Sequence, residues 1–153
     1  MKTLFLLPIL LLSLISTPCL SETMDELVKR DGLYYEKFSK TLFTGKVTGK
    51  EQGRIKDGKK EGEWVGYWGN GQLMSKVSFK NGKEEGEWII YYSNGQVREK
   101  GSYKNGVMEG ESLWYYNNGQ LHSKESYKNG EKKVSRLCMK KMELLIKKRQ
   151  EHS

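Results

Sequence analysis

A strict 24-residue period governs the middle of this chain. Gly62, Gly86 and Gly110 are 24 apart, and so are Asn70-Gly71, Asn94-Gly95 and Asn118-Gly119. The Lys-Asn-Gly turns beginning at Lys80, Lys104 and Lys128 keep the same step. A period of this length belongs to stacked supersecondary units, none of which can bury its hydrophobic face alone.

Each unit is expected to hold two strands and two turns. In the central copy, Gly86–Tyr92 is a run of bulky, β-prone residues and Val97–Tyr103 is its return strand. Asn94-Gly95 between them has the composition of a two-residue type I′ tip, which needs φ > 0 at both positions. Lys104–Gly110 is expected to be a looser turn into the next unit. This register sets Tyr92 opposite Val97, Ile90 opposite Glu99 and Trp88 opposite Gly101. Alternation then places Trp88, Ile90, Tyr92, Val97 and Tyr103 on one face, with Ile89, Tyr91, Arg98 and Lys100 on the other. The small Gly101 leaves room for the Trp88 indole over the partner strand.

The pattern resembles the MORN repeat in its second, bacterial variant. The matching residues of the central copy are Phe79, Asn81, Gly82, Gly86, Trp88, Tyr91, Tyr92, Asn94, Gly95 and Val97. The next copy matches at Tyr103, Asn105, Gly106, Gly110, Tyr115, Tyr116, Asn118, Gly119 and Leu121. The preceding copy matches at Ile55, Asp57, Gly58, Gly62, Trp64, Tyr67, Trp68, Asn70, Gly71 and Leu73. The resemblance runs from about Phe43 to Gly130. Ser112 departs from it where Trp is usual, and Trp114 follows on the same face. It implies an all-β fold: an elongated, single-sheet antiparallel meander of hairpin repeats. It also implies a binding role, because many bacterial proteins with such repeats are named antitoxins of a toxin–antitoxin pair, and some eukaryotic relatives bind phospholipid.

Four segments follow. Residues 1–21 have the form of a secretion signal, with Lys2 before the apolar Leu4–Ile15 and small residues at −3 and −1 for cleavage after Ser21. Lipoprotein anchoring at Cys19 fits less well, since Pro18 precedes it. Cleavage leaves Cys138 as the only mature cysteine, so no internal disulfide is expected. Residues 22–42 form a lead-in and strand. Thr23 and Glu26 have capping-box spacing for a helical or irregular opening, and Leu33–Phe38 is expected to be a strand. Residues 43–130 hold a degenerate first copy, with Lys46-Val47 at its tip, and then three hairpin units. Residues 131–153 form a basic amphipathic tail with helical spacing at Val134, Cys138, Met142 and Leu145.

The net charge of +8 is unevenly placed. Lys132–Ser153 carries eight Lys or Arg against Glu143 and Glu151, and the repeats are close to neutral. A nucleic-acid partner is therefore not expected. The residues offer no catalytic site. His122 and Ser123 are adjacent in a strand and should point to opposite faces, which rules out a nucleophile–base pair. Metal ligation, a cofactor and a small-molecule substrate are not expected either, given one mature Cys, no paired His and no phosphate-cradling loop. The acidic residues Glu61, Glu63, Glu84, Glu85, Glu87, Glu109 and Glu111 recur at one turn type and are expected to be solvated.

The recurring aromatics remain. Trp68, Tyr92 and Tyr116 suit the core. Tyr67, Tyr91 and Tyr115, with Arg98 and Lys100, form the candidate binding face. Lys140, Lys141, Lys147, Lys148 and Arg149 are candidate contacts to a membrane surface or an acidic partner. Two functions are open: an exported, non-catalytic module binding a partner protein, antitoxin- or immunity-like, or an envelope module recognising glycan or anionic lipid.

Overall fold

The computed structural model describes residues 21–133. Residues 1–20 of the signal-like segment and residues 134–153 of the tail, with the predicted helix and the five basic candidates, lie outside the described residues; Ser21 begins β1 and Glu131–Lys132 forms β13.

Thirteen strands are described: β1 (Ser21–Thr23), β2 (Leu27–Arg30), β3 (Leu33–Glu36), β4 (Gly45–Thr48), β5 (Glu51–Lys56), β6 (Lys59–Tyr67), β7 (Leu73–Lys80), β8 (Lys83–Tyr91), β9 (Val97–Lys104), β10 (Val107–Met108), β11 (Gly110–Tyr115), β12 (Leu121–Lys128) and β13 (Glu131–Lys132). One sheet runs β1-β4-β5-β6-β7-β8-β9-β11-β12-β13, with β10 also on β9. From β4 onward the order is a meander and every pairing is antiparallel; β1 joins β4 in parallel. The expected all-β single sheet is therefore what forms.

The two turn types exchange the roles expected of them. Lys80 pairs with Lys83 across Asn81 (φ 51°) and Gly82 (φ 80°), which is a tight type I′ turn. Asp57-Gly58, Asn105-Gly106 and Asn129-Gly130 repeat it. At the other end Gly95 alone has positive φ, at 85°. The Gly95 N–H donates to Tyr92 O at 2.9 Å and the Tyr92 N–H to Gln96 O at 2.8 Å. Asn94 Oδ1 accepts from the Gln96 N–H at 3.1 Å. This is a three-residue loop with a left-handed glycine, the second common hairpin solution. Its extra residue shifts the register, so Tyr91 rather than Tyr92 opposes Val97. Ile90 opposite Glu99 and Trp88 opposite Gly101 are as the sequence predicts.

The lead-in is more strand-rich than its spacing suggests. Thr23 and Glu26 do close a capping box: the Thr23 N–H and Oγ1 donate to Glu26 Oε2 at 2.7 and 2.8 Å. It caps only one 3₁₀ turn, Met24–Glu26, and β2 and β3 then form a separate hairpin about Asp31-Gly32. Phe38, expected at the end of a strand, is 96% exposed beyond β3. In the degenerate copy Lys46 and Val47 lie mid-strand, opposite Arg54 and Gly53, so the turn falls after Thr48. Burial explains this: Val47 belongs to the core and cannot sit at a tip.

That core gathers Leu27, Phe43, Val47, Ile55 and Trp64, with Met24, Tyr34, Val77 and Phe79 around it. The lead-in thus covers the aromatic face of the first hairpins. Further along, Trp88 is buried against Gly101 and Tyr103. Ser112, at the Trp88-equivalent position, is fully buried with its hydroxyl unpartnered. Trp114, Tyr116 and Leu121 are partly exposed at the far end.

Candidate functional site

The 24-residue period converts single positions into rows that run across the strands. On the face opposite the core tryptophans, Val65 pairs with Lys76, Lys76 with Ile89, Ile89 with Lys100, Lys100 with Leu113 and Leu113 with Lys124. Directly opposed residues share a face, so this is one row of alternating apolar and ammonium side chains. Two residues to one side along the strands lies an acidic row, Glu63, Glu87 and Glu111. Two residues to the other side lies the tyrosine row, Tyr67, Tyr91 and Tyr115. All three tyrosines are half-buried.

By register each lysine lies between the acidic row and the tyrosine row. Lys76 turns to Glu63 at 2.7 Å and Lys124 to Glu111 at 2.6 Å. The Glu63 bond and charge raise Lys76 above its ordinary pKa, with a smaller contribution from Tyr91. Lys100 turns the other way, and its ammonium lies 5.8 Å from the centroid of Tyr115. Glu87 forms no ion pair among the described residues. A shallow cleft of about 250 Å³ opens there, lined by Glu87, Ile89, Lys100, Ser102, Glu111 and Leu113.

The structure thus brings Tyr67, Tyr91, Tyr115 and Lys100 onto one face. Arg98 is engaged by its sequence neighbour. It sits at the register shift and donates from Nε to its neighbour Glu99 at 2.9 Å, where the Glu99 side chain is only 12% exposed. His122 and Ser123 also depart from simple alternation: Nδ1 lies 3.2 Å from Ser123 Oγ. The pair is near enough for a hydrogen bond because the sheet is irregular there, between Trp114 and Tyr115 on the opposing strand. The His122 ring packs edge-on against Tyr116, with centroids 4.6 Å apart. Among the described residues no three His, Cys, Asp or Glu side chains could hold a metal ion.

The second set of aromatics stitches units together. Trp68 Nε1 donates to Tyr91 O at 3.3 Å, and Tyr92 Oη to Tyr115 O at 2.8 Å. Asn70 and Asn94 Nδ2 donate to Ser93 O and Asn117 O, one unit on. At the opposite edge, Glu61, Glu85 and Glu109 accept from the N–H groups of Asn81, Asn105 and Asn129 at 2.7–2.8 Å. Three of the turn glutamates are therefore structural acceptors, not merely solvated. Their exact 20-residue offset from each Asn is the sequence signal for this role.

These features define an elongated β-hairpin repeat protein with one apolar face and one patterned, accessible face. The family model for the MORN repeat variant matches three consecutive stretches, residues 60–81, 84–105 and 108–129. Residues 60–129 are thus MORN repeats, a family whose members often serve as binding modules for proteins or membranes. The degenerate copy before Lys60 lies outside that match. A comparison with curated proteins found no match.

Proposed function

We propose that this chain is an exported, non-catalytic repeat module that binds a partner protein through the Tyr67–Tyr91–Tyr115 face, in an antitoxin- or immunity-like role. The tyrosine row carries this reading. Three half-buried rings present large contact area at fixed spacing, on strands that already hold their positions, so little entropy is lost on docking. Lys100, resting on Tyr115 and not on Glu87, adds a cation to the middle of the row. The signal-like residues 1–21 support export, and an exported module would need an exported target.

The test is a pull-down from cell envelopes with the mature full-length chain. A triple variant replacing Tyr67, Tyr91 and Tyr115 by Ala serves as comparison. A protein retained by the wild type and lost from a variant with an unchanged far-UV circular dichroism spectrum supports the assignment. Equal retention by both chains overturns it. Retention only on vesicles of anionic lipid would move the function to a membrane surface and to the basic tail.

A further inference from the structure

The two ends of the sheet differ. At the first, β1 covers the outer edge of β4. At the other, β12 is covered by β13 only at Tyr127 and Lys128, and the Lys133 N–H donates to Ser126 O. Among the described residues no strand pairs with the outer edge of Leu121–Glu125. Earlier units have a strand at that place: β8 on Ser75–Val77 and β11 on Glu99–Lys100.

The donors that join units also lack acceptors here. Tyr116 Oη and Asn118 Nδ2 occupy the positions from which Tyr92 and Asn94 reach the next unit's carbonyls. Neither has such a partner among the described residues. Tyr116 is 50% exposed and Leu121 54%. The repeat signature is not continued after Gly130. The bulge glycine, Gly110 with φ 84°, has Val134 as its counterpart 24 residues on. A β-branched residue is a strong outlier at that φ.

We propose that the outer edge of β12 is a strand-acceptor site for an extended segment of a partner protein, added antiparallel to the sheet. The chemistry of that segment follows from the strands seated on the equivalent edges. Opposite Lys76 and Lys100 stand Ile89 and Leu113; opposite Ser75 and Glu99 stand Ile90 and Trp114. The segment therefore carries two consecutive large apolar residues, one opposite Lys124 and the next opposite Ser123, followed by carbonyls that accept from Tyr116 and Asn118. Strand addition of this kind draws affinity from main-chain hydrogen bonds and specificity from alternate side chains. The site is separate from the tyrosine face and stands even if that face binds nothing.

The probe is a labelled synthetic peptide with the sequence of residues 107–120, which in the chain seats itself on β9. Saturable binding to the full chain by fluorescence anisotropy is expected. N-methylation of the peptide backbone at its Leu-Trp pair should abolish binding. Tyr116→Phe in the protein should weaken it about three- to tenfold, the effect of one hydrogen bond. Hydrogen exchange at the outward-pointing amides of Leu121–Glu125, those not bonded to β11, should be fast in the free chain and slow in the complex. Protection of these amides in the free chain would show the edge already covered, by the chain's own tail or a second copy, and would overturn the proposal. Absence of saturable binding overturns it, as does binding indifferent to N-methylation.

Discussion

Replacing Gly53 by Ala tests whether the tryptophan face is held by close strand-to-indole contact. Gly53 has no need of left-handed backbone, so any cost is steric. A Cβ there would stand 2.3 Å from Trp64 Cδ2 and 2.4 Å from Cε2. Non-bonded carbons rest about 3.5–4.0 Å apart, so the ring must retreat by more than about 1 Å. Trp64 is 2% exposed, is edge-on to Phe79 and donates from Nε1 to Arg54 O at 3.2 Å. A buried indole removes about 150–250 Å² from water, which is about 4–6 kcal/mol at 25 cal/mol/Å². Losing half of that costs about 2–3 kcal/mol, and the smaller chain entropy of Ala returns about 0.5–1 kcal/mol. The net loss is about 2 kcal/mol. Gly101→Ala is the internal comparison, because its Cβ would meet Trp88 at 3.0–3.1 Å. A shift of a few tenths of an ångström suffices there, and the two contributions nearly cancel, to within about 1 kcal/mol. Urea unfolding followed by far-UV circular dichroism measures both. A Gly53 variant no less stable than the Gly101 variant would refute the argument.

Other perturbations address the turns, the buried serine and the last hairpin. Glu85→Ala should destabilise the chain by about 1–1.5 kcal/mol in the same urea assay, because the Asn105 N–H loses a charged acceptor. Glu84→Ala, with no such bond, is the comparison. Ser112→Ala should stabilise by about 1 kcal/mol, since it removes a buried hydroxyl that has no partner; a lower midpoint would show that the hydroxyl is satisfied. Lys132 and Tyr127 both donate to Glu125 and hold its pKa below the ordinary 4.5. A depressed carboxylate contributes stability that is complete above 4.5 and is lost as pH falls through the folded-state value. The melting-temperature difference between wild type and Glu125→Gln should therefore be constant near neutrality and shrink on acidification; a difference that grows would contradict the sign.

The period made the hairpin meander legible because turn glycines and bulky strand residues recur at a fixed step. The Trp64 indole leaves no room for a side chain at Gly53, and Trp88 lies closely over Gly101. The turns were harder to read, since both are Asn-Gly and composition alone does not separate them. Their flanks do. Lys80 and Lys83 continue the ladder on both sides of Asn81-Gly82, whereas Tyr92 and Gln96 are already outside it at the other end. That one extra residue sets Val97 opposite Tyr91 and so moves Val97 to the tyrosine face, while Tyr92 bonds the next unit. Arg98 could not be placed from alternation for the same reason. In the lead-in, Thr23 and Glu26 announce their capping box, but propensity did not reveal that Leu27 would be drawn into the Phe43 core.

The patterned face has a physical origin in the same repetition. Any residue on a 24-residue period must stand in line with its counterparts, so a lysine, a glutamate and a tyrosine become three parallel rows. In the flanking units the lysine pairs with the glutamate, and the two charges offset each other. In the central unit Lys100 goes to the aromatic side, and that single change separates a cation on the tyrosine row from the Glu87 carboxylate across the cleft. Exposed ion pairs contribute little to stability, so the lysine can exchange between its two neighbours at small cost. A docking partner that offers an acidic group to Lys100, or a basic one to Glu87, would compete with interactions that the fold does not depend on. On the proposed binding role, a charged contact at the centre of the face would therefore cost the fold little.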